Sequence, residues 1–391
     1  MMAAIFGLQA LGIDTMLPAL EHISTQYGIT DANQQQYIIL AFVFGFGFPQ
    51  LFFGPISDRY GRKTLLQFGL IGYFVSSVLC MVAPSFSALL LLRLAQGVCC
   101  AATRVSAGAI IRDISKGRAM ARIMSLVYTT FMIVPIIAPA IGTAVMVFLP
   151  WQWIFGVLGI FAAIVLAWIS FRLPMTLDES DRRDIRADVV IEGFRRVLTN
   201  RTAVGYMLAS GVIFGCLFGF IAASEQVFDE VFERGELFWA YFAGIAGVLA
   251  VMNYSNSRVV ERFGMRRISH AVVISFIILT VLNLGLMYLT DQSFWVFYIL
   301  FSLAFGCFGM MGANFASLAL EPMGDVAGTA NSVYGFFTMT ISVVLGAIVA
   351  GQFDGTVRPL LIGFSVLGVI SLAIILLTER GKLFEVGAGK S

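Results

Sequence analysis

Few ionisable side chains stand inside the long apolar runs of this chain, and three of them could do proton or anion chemistry: Asp14, Arg93 and Arg104. A charge at the centre of a lipid-embedded helix costs about 2.5–3.5 kcal/mol on insertion scales, so such residues mark pathways rather than filler. Asp14 falls about six residues before the end of its apolar run, and Arg93 about six after the start of another. If the two runs cross a membrane in opposite directions, these groups share a depth. A carboxylate that alternately pairs with an arginine and takes up a proton would have a proton affinity that follows its surroundings, which is what proton coupling requires. The competing reading makes Asp14 a structural residue at an exposed helix end, fixing the turn before Pro18. Arg104 follows Arg93 at i+11, on nearly the same helix face. It either faces a cavity, holding an anion or a carboxylate, or snorkels toward an interface.

Uncharged groups in the same runs supply candidate cavity walls. Asn253, Asn256 and Asn314 either line a cavity or hydrogen-bond between helices. Tyr37, Phe44, Tyr128, Phe131, Met132, Tyr241, Tyr334 and Phe337 form an aromatic and thioether set that suits apolar ligands of varied shape. Glu225 reads either as a coupling group or as a solvated loop charge. Pro135 and Pro139 should kink their helix, because proline removes a backbone donor and clashes with the preceding turn.

These side chains need elements that can hold them in lipid. Of 391 residues 59% are hydrophobic and 12% are charged; an ordinary soluble domain carries about 25% charged residues. No soluble fold of this size buries that much apolar surface. Runs of about 20 apolar residues occur at 1–20, 34–55, 64–82, 87–111, 120–148, 152–171, 203–223, 237–256, 268–289, 294–318, 327–352 and 359–377. The first run lacks the charged flank and small-residue cleavage site of a signal peptide, and so reads as a span. With twelve spans, one set of loops and tails carries 21 of the 25 Lys and Arg residues and the other only Arg234 and Arg358. The positive-inside bias therefore predicts both termini in the cytoplasm and the acidic 225–236 stretch outside. The polar segment 172–202 joins two halves, with an amphipathic surface helix from Val189 to Leu198.

The remaining chemistry-bearing residues point to no enzyme. Cys80, Cys99, Cys100, Cys216 and Cys307 lie in apolar runs and have neither disulfide nor metal-ligand spacing. His22 and His270 belong to no triad or metal motif and read as interfacial side chains. Phosphate loops, nucleophile elbows and zinc motifs are absent from the sequence.

A repeat ties the halves together. Gly54-Pro55-Ile56-Ser57-Asp58-Arg59-Tyr60-Gly61-Arg62-Lys63 follows the second run, and Glu261-Arg262-Phe263-Gly264-Met265-Arg266-Arg267 follows the eighth. Acid, arginine, aromatic, glycine and basic residues recur in order, which predicts two parallel six-span halves. The first copy resembles the loop signature of the major facilitator superfamily, and with Gln50 ahead of it the twelve-span drug:proton antiporters of its bicyclomycin-resistance (Bcr/CflA) branch. Leu92-Arg93-Leu94-Ala95-Gln96-Gly97 resembles that family's fourth-span motif, which places a buried arginine near the proton pathway. Asp14-Thr15-Met16-Leu17-Pro18 resembles its first-span acidic motif. Pro135-Ile136-Ile137-Ala138-Pro139-Ala140-Ile141-Gly142 resembles its fifth-span antiporter motif, with Ala138 where glycine usually precedes the proline. Glu321-Pro322-Met323-Gly324 also matches that branch, while Glu225-Gln226 departs from its Ser-Pro pattern.

The resemblance implies an all-α membrane protein with two six-helix halves around a central cavity. Their bounds are 1–171 and 203–379, with a linker at 172–202 and a cytoplasmic tail at 380–391. It implies a proton-coupled exporter of small amphipathic compounds in the bacterial inner membrane, monomeric, with no cofactor, metal or nucleic-acid partner, driven by the proton gradient. Asp14 and Arg93 would couple protons. Arg104, Tyr37, Tyr128, Met132, Asn253 and Tyr334 would line the cavity. Gly54, Asp58, Arg59, Gly61, Arg62 and Lys63 would form a cytoplasmic gate with Asp113, and Pro135, Pro139 and Gly142 the antiporter motif. A metabolite or siderophore transporter is the nearest alternative; a channel or sensor is the alternative of another class.

Overall fold

Backbone groups in lipid must bond within their own segment, so long apolar runs become helices. The computed structural model describes residues 1–114, 117–174, 187–289 and 293–384, with side chains also left out at 32, 112, 117–126, 128, 129, 131, 132, 187–191, 193 and 324–329. Among the described residues there is no strand. The helices are α1 (Met2–Asp14), α2 (Leu20–Gln26), α3 (Tyr37–Gly47), α4 (Gln50–Tyr60), α5 (Arg62–Met81), α6 (Phe86–Ile114), α7 (Gly117–Phe148), α8 (Gln152–Arg172), α9 (Ala187–Thr199), α10 (Arg201–Gln226), α11 (Phe238–Phe263), α12 (Met265–Leu289), α13 (Phe294–Leu320), α14 (Ala327–Ala350) and α15 (Arg358–Thr378). Two compact units divide them, Met1–Val189 and Val190–Ser391.

Ten of the described helical runs are long and apolar enough to cross a membrane. The second predicted span is instead a broken pair, Asn33–Gly47 and Gln50–Tyr60, bent by 45° at Phe48 and Pro49. The fifth is α7, whose described apolar part is Ile133–Phe148. It runs through Pro135 and Pro139 as one helix, and the Thr143 hydroxyl donates to the Pro139 carbonyl at 3.1 Å. The first span is longer than expected, Met2–Gln26, and is interrupted by a 3-10 turn at Leu17–Ala19. Between its sixth and seventh spans the chain forms α9, where Glu192 pairs with Arg196 at 3.3 Å and Val197 is buried.

Close helix crossings come from small residues, as lipid-embedded packing demands. Gly211, Gly215 and Gly219 line one face of α10, and a Cβ on them would press on Ile341, Leu345 and Gly346 of α14. In the first unit, α3 and α6 meet backbone to backbone: a Cβ on Gly45 would strike the Leu94 carbonyl, and one on Gly97 the Phe42 carbonyl. That crossing sets the height and direction of Arg93, four residues before Gly97.

Candidate functional site

Arg93 is the largest fully buried side chain among the described residues. A buried guanidinium is tolerable only when its donors are taken up. Its Nη2 donates to the Gly12 carbonyl of α1 at 2.8 Å, Nε to the Ile38 carbonyl of α3 at 3.1 Å, and Nη1 to Gln96 Oε1 at 2.6 Å. Gln96 Nε2 passes the chain on to Ser77 Oγ of α5 at 2.8 Å, and Ser77 donates to the Tyr73 carbonyl at 2.7 Å. Phe42 and Phe155 offer their rings at 4.5 and 5.7 Å, adding cation–π attraction. The arginine thus ties α1, α3, α5 and α6 into one knot.

Asp14 closes α1, and its position corrects two expectations. It stands twelve residues from each end of the Met2–Gln26 run, near mid-span and not near an end. It is also only 4% exposed, so the helix end it occupies is not an exposed one. Its Oδ1 has no hydrogen-bond partner, and neither does the hydroxyl of Thr15 beside it. No ion pair joins Asp14 to Arg93 among the described residues: the guanidinium reaches the same stretch of α1 but takes the Gly12 carbonyl instead. Tyr73 Oη, also buried without a partner, lies where a Cβ on Gly12 would meet it at 2.8 Å. From the other side α7 approaches closely, since a Cβ on Gly142 would strike the Thr15 carbonyl and come within 2.9 Å of the Pro18 ring. The fifth-span glycine therefore packs on the helix break that Asp14 begins.

Arg104 also turns toward α1 and α3. It hydrogen-bonds Gln9 Oε1, and the rings of Phe6 and Phe46 lie 5.3 and 5.6 Å from its guanidinium carbon. A head group held against mid-α1 is not snorkelling. Gln9 escaped the sequence reading, although a single glutamine in an apolar run was a visible signal; so was Gln96, which stood inside a recognised motif.

The gate residues form a clamp, and the segment expected to be a loop is mostly helix. Gly54 to Tyr60 complete α4, Gly61 alone makes the break with φ 96°, and α5 starts at Arg62. Left-handed backbone of this kind favours glycine. Arg62 donates to Asp58 at 3.2 Å, pairs with Asp113 at the end of α6, and donates to the Ala109 carbonyl at 3.0 Å. Lys63 caps α8 through the carbonyls of Ser170 at 3.2 Å and Leu173 at 2.5 Å. Arg59 stays at the surface over the Tyr60 ring at 5.6 Å.

In the second unit, Asn256 of α11 and Asn314 of α13 are buried and bond each other reciprocally at 3.2 and 2.9 Å. They join helices rather than line a cavity. Asn253 lies at the same crossing, against Gly309. Tyr334 of α14 shares a 2.7 Å hydrogen bond with Ser210 of α10. Tyr37 is exposed at the start of α3, and Phe44 stacks on Phe48 with centroids 6.0 Å apart. The side chains of Tyr128, Phe131 and Met132 lie outside the described ones. Glu225 is a buried residue of α10, not a loop charge. Tyr241 packs in an aromatic box around Arg234, whose guanidinium carbon sits 4.3 Å from the Phe294 centroid. His270, near the start of α12, is fully buried and hydrogen-bonded.

Comparison with known proteins places this architecture. The model of the Major Facilitator Superfamily matches residues 2–347. A bicyclomycin resistance protein homolog from Haemophilus influenzae is 30% identical over 378 residues, covering 95% of this chain and 94% of the relative. Multidrug resistance protein MdtL from Escherichia coli O157:H7 is 27% identical over 382 residues, covering 96% and 94%. Among solved structures, a D-xylose-proton symporter superposes with a TM-score of 0.75 at 13% identity, covering 98% of this chain and 97% of that one. An inward-facing bacterial homolog of the human lysosomal transporter Spinster superposes with a TM-score of 0.72 at 16% identity, covering 97% and 96%. At these identities the structural likeness speaks to the fold.

Proposed function

The chain belongs to the Major Facilitator Superfamily, a family of transporters and not of enzymes, and from that premise we propose that this multi-pass membrane protein is a proton-driven exporter of small amphipathic compounds. The relatives named for bicyclomycin and multidrug resistance support the substrate class. Asp14 carries the proton reading: a buried carboxyl oxygen without a partner, at a mid-span helix break, on the helix whose Gly12 carbonyl Arg93 holds.

In this account the Asp14 carboxyl takes up and releases the proton. Buried ionised groups need partners, so the exchange is driven by conformations that supply or withdraw donors around the α1 break. Arg93 holds the ends of α1 and α3 while that break changes, and α7, close-packed on Thr15 through Gly142, carries the change onward. The Arg62 clamp to Asp58 and Asp113 holds the cytoplasmic helix ends of its half together during the outward-open part of the cycle. Alternating access between the halves, termini in the cytoplasm, a bacterial inner-membrane location and action as a monomer complete the reading; no cofactor beyond the proton gradient is invoked. Arg104 and Tyr334 stand as substrate-facing polar groups, the first set among phenyl rings that suit amphipathic ligands rather than a bare anion.

The test is transport into inverted vesicles under an imposed pH gradient, with a panel of amphipathic drugs. Uptake that collapses with the gradient supports proton antiport. Uptake indifferent to the gradient refutes it.

A further inference from the structure

At one end of the second unit, five segments meet around His270 in a hydrogen-bond chain with a single direction. The residues after α15 turn back sharply: the Gly381 amide donates to the Leu376 carbonyl at 2.8 Å, and Arg380 and Phe384 both have positive φ, 56° and 66°. The turn brings the Phe384 amide to His270 Nδ1 at 3.1 Å. The Phe384 ring packs edge-on against the imidazole with centroids 5.8 Å apart, and Arg267 Nε donates to the Phe384 carbonyl at 3.0 Å. On the far side of the imidazole, Nε2 lies 3.0 Å from the Tyr206 hydroxyl of α10. That hydroxyl donates its one proton to Glu379 Oε1 at 2.7 Å, and Arg266 Nε donates to the same oxygen at 3.0 Å. Arg266 also reaches Glu321, at the end of α13, at 3.5 Å.

These partners determine the tautomer. A backbone amide can only donate, so Nδ1 must accept. The Tyr206 proton is spent on Glu379, so Nε2 must carry the hydrogen and donate to the tyrosine oxygen. The imidazole is therefore neutral when the segment after α15 is docked. A second proton has one place to go, Nδ1, where it would face the Phe384 N–H, donor against donor. Among the described residues, Tyr206 and Phe384 contact the ring, Glu379 and Arg266 act on its charge, and Arg267 holds the Phe384 carbonyl; with these partners in place a protonated Nδ1 faces the Phe384 N–H.

We infer that His270 is a proton-operated latch for the segment after α15: neutral, it holds residues 380–384 on α12, and protonated, it releases them. The sign follows directly. Docking is complete where the imidazole is neutral and is lost as pH falls through the titration of the docked ring. Release frees the end of α15 and the Arg267 contact but leaves Arg266 on Glu379 and Glu321. The latch does not depend on what the protein transports.

Hydrogen exchange on the full chain in lipid nanodiscs tests this, read by mass spectrometry on peptides spanning 376–384 at pH 8 and pH 5.5 and corrected for intrinsic exchange rates. The wild type should exchange at least about tenfold faster at pH 5.5, the opening of a local unit. H270N keeps an acceptor near the Nδ1 position but cannot take a proton, and should stay protected at both values. E379Q should retain the pH response. Protection of the wild type that ignores pH overturns the proposal, as does a response that survives in H270N or vanishes in E379Q. A reading independent of these substitutions comes from imidazole 15N shifts, since the chain has only two histidines. The His270 signal should leave the Nε2–H tautomer in step with release, and a tautomer unchanged while the segment undocks contradicts the latch.

Discussion

Each half ties helix ends together just after its glycine turn, yet the two do so with different residues. In the first, two cations share the work: Arg62 grips Asp113 at the end of α6, and Lys63 grips the terminal carbonyls of α8. In the second, the residue matching Arg62 is Met265, and Arg266 alone reaches both Glu321 at the end of α13 and Glu379 just past α15. The glycine that permits the turn is kept in both, Gly61 with φ 96° and Gly264 with φ 80°. The backbone solution is repeated, while the side-chain solution has drifted.

The interiors diverge further. The first half buries Asp14 and Arg93 and half-buries Arg104 among α1, α3 and α6; the second joins its corresponding helices by a neutral asparagine pair and aromatic packing, and buries the carboxylate Glu225 in α10. A buried charge is retained against its desolvation cost only where it is paired or used. Under the proposed function the proton chemistry falls to the first half, where the buried Asp14 Oδ1 lacks a hydrogen-bond partner.

The largest effect expected is from Asp14→Asn, which should abolish gradient-driven accumulation while leaving membrane insertion and folding intact. Retained accumulation would break the assignment. Next comes Arg93→Leu, which strands the carbonyls of Gly12 and Ile38 and the Gln96 amide; a loss of about 3–5 kcal/mol is expected in thermal unfolding in detergent. The matching test in the second half is milder. Asn256→Leu leaves Asn314 unpaired and should cost about 1–3 kcal/mol, whereas Asn256→Leu with Asn314→Leu should recover much of it, because removing both partners of a buried pair restores balance. Additive losses would mean the pair acts as more than a helix joint.

The clamps give the finest contrast. Arg266→Gln should raise hydrogen exchange at the ends of both α13 and α15. Arg62→Gln should do so at the ends of α4 and α6, and Lys63→Gln at the end of α8. Smallest of all, Gly61→Ala and Gly264→Ala should each cost about 1–2 kcal/mol, since an L residue is strained in left-handed backbone. Equal costs would confirm that the repeat preserves its turn.

Much of this was legible because helix length in lipid is set by apolar run length, and the Gly61 and Gly264 motifs sat in register on the sequence. The turn before Pro18 was open to one reading of Asp14, but the break at Pro49 was not read, although Pro49 was the signal for it, as proline favours the first turn of a new helix. The real partners of Arg93 could not be read, since two of the three are main-chain carbonyls that every residue carries. The His270 cluster was invisible for another reason. Tyr206, His270 and Glu379 are far apart along the chain, and nothing local distinguishes a histidine at a helix start from one locked between α10 and the segment after α15.

The most direct test of the assignment to the first half is proton release on substrate binding, measured with a pH indicator in weakly buffered detergent solution. Substrate added to the wild type should release protons, and substrate added to Asp14→Asn should bind and release none. Equal release from both proteins would contradict the account at its centre.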